Sequence, residues 1–113
     1  MTDIIASILH ELGISANIKG YYYLLDAIEL VIKTEKLPVQ MTNDIYYVLA
    51  QKYDKTIGSV ERCIRFAIEG GFSNAPFRAI EKTFSSTISY SKTKPTNSQF
   101  IHMIADEYKR KNI

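Results

Sequence analysis

The chain has 113 residues, 46% hydrophobic and 23% charged, a composition for one packed domain rather than a disordered tail. Its 14 Lys and Arg against 12 Asp and Glu leave a formal charge of +2, and a single cysteine, Cys63, excludes an internal disulfide or a cysteine-based zinc site. No apolar run approaches the roughly 20 residues of a membrane span, and Met1 to Ile14 lacks the basic start of a secretory signal, so no membrane and a reducing, cytoplasmic compartment are expected.

Ile4, Ile5, Ile8, Leu9 and Leu12 fall on one helical face, with Thr2 or Asp3 as N-cap and Gly13 as stop. Gly20 opens a second helix whose apolar stripe is Tyr23, Leu24, Ala27, Ile28, Val31 and Ile32, ended by Lys36-Leu37-Pro38. Thr42 caps a third helix carrying Ile45, Tyr46, Val48, Leu49 and Tyr53. A turn at Asp54-Lys55-Thr56-Ile57 leads into a fourth helix from about Gly58 to Glu69, closed by Gly70-Gly71. The spacing predicts a fifth helix from Ala75-Pro76 to about Phe84. Residues 83–98 hold nine Ser or Thr in sixteen positions, with room for a brief extended segment around Ile88 and Tyr90. After Pro95 a last helix, capped by Thr96 or Asn97, places Phe100, Ile101, Ile104, Ala105 and Tyr108 on its apolar face. The expectation is an all-α single domain of about six helices.

The catalytic inventory is thin. His10 and His102 have no second His or Cys at helical spacing, and Cys63 lies in an apolar stripe as a structural thiol. Neither common phosphate-cradling glycine motif is present. No enzyme, cofactor or metal is indicated.

The third and fourth helices fit a helix-turn-helix. Ala50 is the small residue where two helices cross, and Val60, ten positions later, packs back on the first helix. Leu49, Tyr53 and Cys63 supply the flanking apolar positions. Asp54 occupies the turn position that requires positive φ, which Asp tolerates better than most residues. At about 100° per residue, Gly58, Glu61, Arg62 and Arg65 share one arc opposite Val60, Cys63, Ile64 and Ala67. Arginine can donate two bonds to guanine O6 and N7, and Glu can accept from cytosine N4, so this face can read base edges. The plainer reading is an exposed i, i+4 ion pair between Glu61 and Arg65. Lys92 and Lys94, before Pro95-Thr96-Asn97-Ser98, sit where a helix N-terminus can hold a phosphate, the plainer reading being a solvated loop and an ordinary N-cap. Lys55 and Ser59, in the turn and at the helix start, and the basic run Lys109 to Lys111 add candidate contacts. Tyr21, Tyr22 and Tyr23 read as core or partner surface rather than as a base-stacking platform.

The charge is unevenly placed. Residues 1–54 hold four basic and seven acidic side chains, and residues 55–113 hold ten basic and five acidic, so −3 is followed by +5. A polyanionic partner is expected to meet the second half.

Three blocks carry a family resemblance: ANIKGYYYLLDAI at 16–28, SVERCIRFAIE at 59–69 and KTKPTNSQFIHMIAD at 92–106. With SILHELGI at 7–14, the chain resembles the DNA-binding effector domains of stage zero sporulation protein A, a response regulator of endospore-forming bacteria. The resemblance implies a cytoplasmic transcription regulator that binds double-stranded DNA at a TGTCGAA-like box and contacts an RNA polymerase sigma factor. It also implies pairing of two copies on tandem boxes, downstream of a receiver domain that is absent from these residues. Family base contacts map onto Glu61, Arg62 and Arg65, and backbone contacts onto Lys92, Lys94 and Ser98. Gly58 and Ser59 replace a hydroxyl and a basic residue of the family, and Phe66 stands where histidine is usual. Gly70-Gly71-Phe72 replaces a helical run, from which an earlier end to the fourth helix is expected. The reading from another class is a protein-interaction module that acts on a full-length regulator or sigma factor without specific DNA binding.

Overall fold

Isoleucine and leucine recurring every three to four residues drive five helices together in the computed structural model, which describes residues 1–74 and 94–111. The predicted fifth helix at 75–84 and the extended segment near Ile88 and Tyr90 lie outside the described residues. Helix α1 spans Thr2–Glu11 and α2 spans Tyr21–Lys33. A π-helical turn over Met41–Tyr46 runs directly into α3, Tyr47–Tyr53. Helix α4 spans Ile57–Asn74 and α5 spans Asn97–Lys111. Among the described residues there is no strand, and no helix is long and apolar enough to cross a membrane.

Helix α2 is the hub, packing against α5, α4 and α1. Ile5, Leu9, Leu24, Ile28, Ile64, Phe100, Ile101 and Ile104 are completely buried between these helices. Burying each such side chain contributes about 1.5–3 kcal/mol before chain entropy is counted. Asp26 on α2 anchors α3 as well, accepting hydrogen bonds from Lys52 Nζ at 2.8 Å and from the Tyr53 hydroxyl. Burial first, then the neighbouring Asp26 carboxylate, pushes the Tyr53 phenol well above its ordinary range, so it stays a donor.

Several helix ends differ from the sequence expectation. Neither Thr2 nor Asp3 caps α1; Met1 precedes it, and the Thr2 hydroxyl donates to Glu29 on α2 instead. Gly13, at φ +82°, does end that helix. Helix α2 stops at Lys33, where Thr34 turns extended, before Pro38 is reached. Thr42 does not cap α3, because the helical turn already starts at Met41. Asp44 secures that turn instead, accepting from Gln40 N at 2.8 Å and Lys36 Nζ at 2.9 Å. Those two bonds hold its carboxyl below the usual carboxylate range.

The largest correction concerns α4, which continues through Gly70-Gly71 to Asn74. Neither glycine has positive φ. Gly71 is required for space: a Cβ there would stand 2.6 Å from Ile14 Cγ1 and 2.8 Å from the Leu12 carbonyl oxygen. Gly20 serves the other side, with φ +97° and an added Cβ only 2.4 Å from the Cys63 carbonyl oxygen. Two glycines therefore let α4 lie directly on the backbone of the first helical pair.

Candidate nucleic-acid interface

The segment from α3 to α4 is short and locally specified. Asp54 adopts φ +54°, ψ +53°, and Lys55 N bonds back to Ala50 O at 3.0 Å. Thr56 then caps α4, its hydroxyl accepting from Ser59 N at 3.0 Å. Leu49, Ala50, Val60, Cys63 and Ile64 are buried, so one stripe of each helix is committed to the core. The opposite stripe of α4 faces solvent. Gly58, Arg62, Arg65 and Phe66 are exposed, Glu61 and Ser59 partly so, and nothing among the described residues lies within 4 Å of where a Gly58 side chain would begin.

Arg65 Nε donates to Glu61 Oε1 at 3.1 Å, and its guanidinium carbon lies 5.2 Å from the Phe66 ring centroid. With the two charged side chains 45% and 37% exposed, the pair contributes about 0.3–0.5 kcal/mol, small enough for a stronger partner to displace. The pair also uses only one of the five guanidinium donors. Arg62 is exposed and forms no ion pair with any described residue.

A second element closes over the same side. Thr96 and Gln99 form a reciprocal cap at the start of α5: Thr96 Oγ1 accepts from Gln99 N at 3.1 Å, and Gln99 Oε1 accepts from Thr96 N at 2.9 Å. Between this end of α5 and α4 lies an open groove of about 460 Å³, whose wall includes Glu61, Arg65, Glu69, Lys94, Asn97 and Ser98. Lys94 Nζ donates to Ser73 Oγ at 3.0 Å, and Ser73 Oγ donates to Glu69 O at 3.0 Å. Ser98 sits against His102, whose Nδ1 is 2.8 Å from the Ser98 carbonyl; because a carbonyl only accepts, that ring nitrogen carries the proton. Asn97 Nδ2 reaches both the Tyr46 hydroxyl at 3.0 Å and Glu61 O at 3.2 Å. Burial raises the Tyr46 phenol, an effect the Asn97 bond partly opposes.

Of the sequence-derived candidates, Glu61, Arg65, Lys94 and Ser98 line this one groove. Arg62 lies on the exposed face of α4 outside the groove wall, and Lys55 and Ser59 sit at the N-terminal end of α4. Lys92 lies outside the described residues. Glu69 and Ser73 escaped the sequence reading, which named Asn97 only as a possible cap beside the phosphate site and not as a tie between helices. Glu61, Arg65, Glu69 and Ser73 recur every four residues, a row concealed by reading Gly70-Gly71 as a stop. The groove carries two carboxylates against two cations, whereas the outer face of α4 carries Arg62, which has no ion-pair partner among the described residues. Among the described residues, no three His, Cys, Asp or Glu side chains converge as metal ligands.

A family model described as sporulation initiation factor Spo0A C terminal matches residues 5–108. Its members are DNA-binding effector domains of a sporulation response regulator, regulatory and not catalytic. With the match covering nearly the whole chain, including both walls of the groove, the protein belongs to the Spo0A C-terminal family.

Proposed function

We propose that the chain is a sequence-specific double-stranded DNA-binding transcription regulator, with α3 and α4 forming a helix-turn-helix and α4 entering the major groove. The observation that carries this reading is the exposed arginine face of α4 beside the Lys94–Ser98 end of α5, in a member of a DNA-binding family. Arg62 and Arg65 donate to guanine edges, and Glu61 accepts from a cytosine amine. Lys55, Ser59, Lys92, Lys94 and Ser98 hold backbone phosphates, which set register without reading sequence. The preferred site is a TGTCGAA-like box. Two copies pair on tandem boxes, a sigma factor is the protein partner, and the cytoplasm is the compartment where these meet.

Engaging DNA requires the Glu61–Arg65 pair to open or share its donors. Its small worth, about 0.3–0.5 kcal/mol, is readily exceeded by a bidentate guanine contact of about 1–3 kcal/mol. One observation favours the other reading, a protein-interaction module: Phe66 is 56% exposed next to Arg65 and offers an apolar anchor. Titration against the box and a scrambled duplex at two salt concentrations separates the readings. A strong preference for the box supports base reading, and equal affinities at both salts refute it in favour of the interaction module.

A further inference from the structure

One polar side chain at the groove directs its hydrogen bonds inward. Asn97 Nδ2 donates to the Tyr46 hydroxyl at 3.0 Å and to the main-chain carbonyl of Glu61 at 3.2 Å. A carbonyl cannot donate, so the nitrogen of the amide, and not its oxygen, must face α4. Both Nδ2 protons are thereby used, and one side chain joins three elements: the turn leading into α3, the second turn of α4 and the first turn of α5. Tyr46 is 8% exposed, so its hydroxyl is a fixed acceptor rather than a mobile surface group. The carbonyl belongs to Glu61, whose carboxylate holds Arg65. Lys94 lies three residues before Asn97 and Ser98 one residue after it.

We infer that Asn97 is a positioning residue for sequence discrimination, holding the Lys94–Ser98 segment at a set offset from the reading face of α4. The inference rests on the DNA reading above. Base edges and phosphates of a duplex keep a fixed separation, so both are met together only if the protein groups keep a matching one. Nonspecific binding uses phosphates alone and tolerates a variable offset. The other polar tie across the groove among the described residues, from Lys94 to Ser73, joins two exposed side chains and is too loose to set that offset. The bonds of Asn97 to the hydroxyl of a buried tyrosine and to a helix carbonyl can set it.

Three variants separate the contributions. Asn97→Ala removes both bonds. Asn97→Asp keeps the size and lets the Tyr46 hydroxyl donate to the new carboxylate, but sets that carboxylate against the Glu61 carbonyl. Tyr46→Phe removes only the hydroxyl. The ratio of box to scrambled-duplex affinity is expected to fall about five- to tenfold in Asn97→Ala and Asn97→Asp, the size of one or two lost hydrogen bonds, and less in Tyr46→Phe. Scrambled-duplex affinity and salt slope of Asn97→Ala stay as in the unsubstituted chain, because no phosphate contact is lost. A mere loss of folding would lower both duplexes together. Equal loss on box and scrambled DNA, or an unchanged ratio, overturns the inference. If the unsubstituted chain shows no preference, it is the DNA reading that fails. Residual dipolar couplings of the α4 and α5 amides without DNA then decide for Asn97: reorientation of α5 in Asn97→Ala supports the positioning role, and an unchanged orientation overturns it.

Discussion

Gly70 and Gly71 are adjacent in sequence, yet α4 gives them opposite roles, and alanine at each position makes the difference measurable. Either substitution gains helix propensity, about 0.5–1 kcal/mol, since alanine loses less backbone entropy than glycine. At Gly70 nothing among the described residues lies within 4 Å of the added Cβ, so that gain is the expected effect. At Gly71 the Cβ would meet Ile14 Cγ1 at 2.6 Å and Leu12 O at 2.8 Å, well inside the 3.4–4 Å of ordinary contact. Ile14 and Leu12 are completely buried and the second atom is backbone, so neither can swing aside. Overpacking of this kind costs about 1–3 kcal/mol. The propensity gain is common to both variants, so the difference between them isolates the packing cost. Urea denaturation followed by circular dichroism reads it directly: the midpoint of Gly70→Ala rises, that of Gly71→Ala falls, and the slope m is unchanged. A Gly71→Ala midpoint at or above that of Gly70→Ala would refute the close approach. A destabilised Gly70→Ala would refute the continuous helix, because only a helix-ending glycine with positive φ loses stability on gaining a Cβ in open space.

The interface makes further predictions. Arg65→Ala should cost about 1–3 kcal/mol on the cognate box and relax its sequence preference, while folding stability changes by less than about 0.5 kcal/mol because only an exposed pair is lost. Equal loss on random DNA would remove Arg65 from base reading. Lys94→Ala should weaken box and scrambled duplexes alike and lower the salt slope by about 0.9, one phosphate equivalent; a selective loss on the box would instead make Lys94 a reader of sequence. Asp44 supplies a pH prediction. Its carboxyl is held below its unfolded value by the Gln40 amide and by Lys36, so its contribution is present above the unfolded pKa and disappears as pH falls through the folded one. Asp44→Asn should therefore flatten the acid limb of the stability profile, measured as urea midpoint against pH, below about pH 4; an unchanged limb would show that the bonds are not kept in solution.

How much of this was legible in the sequence follows from which interactions are local. Asp54 was readable as the positive-φ turn residue, because the requirement comes from its own backbone and is met at φ +54°. The pairing of Glu61 with Arg65 and their shared face with Arg62 were readable from a period of 3.6 residues. The cap of α5 was readable to within one residue, as Thr96 or Asn97, and the Thr96–Gln99 pair, which satisfies amides within one turn, makes it Thr96. Thr2 and Thr42 misled, because a hydroxyl or a polar residue near a helix start has other partners in space. Thr2 bonds to Glu29 on another helix, and Asp44 serves the turn where Thr42 was expected. Glu107 is buried on α5 and held by Arg110 and Lys111, although it is not one of the apolar residues from which burial was read.

The helical class, the stripe of each helix committed to the core, the arginine face of α4 and the family can all be read before any packing is considered. All of these depend on side chains repeating along one segment. It took the packed helices to show that Gly71 lies inside α4, that the helix thereby continues to present Ser73, and that Asn97 binds α5 to Glu61 and Tyr46. The physical reason is common to all three. A glycine can be demanded by its own φ or by a neighbour's atoms, and an amide can bond its own turn or a helix distant in sequence. Within one segment these alternatives look alike, and they separate only when the packed helices bring the second partner within a few ångströms.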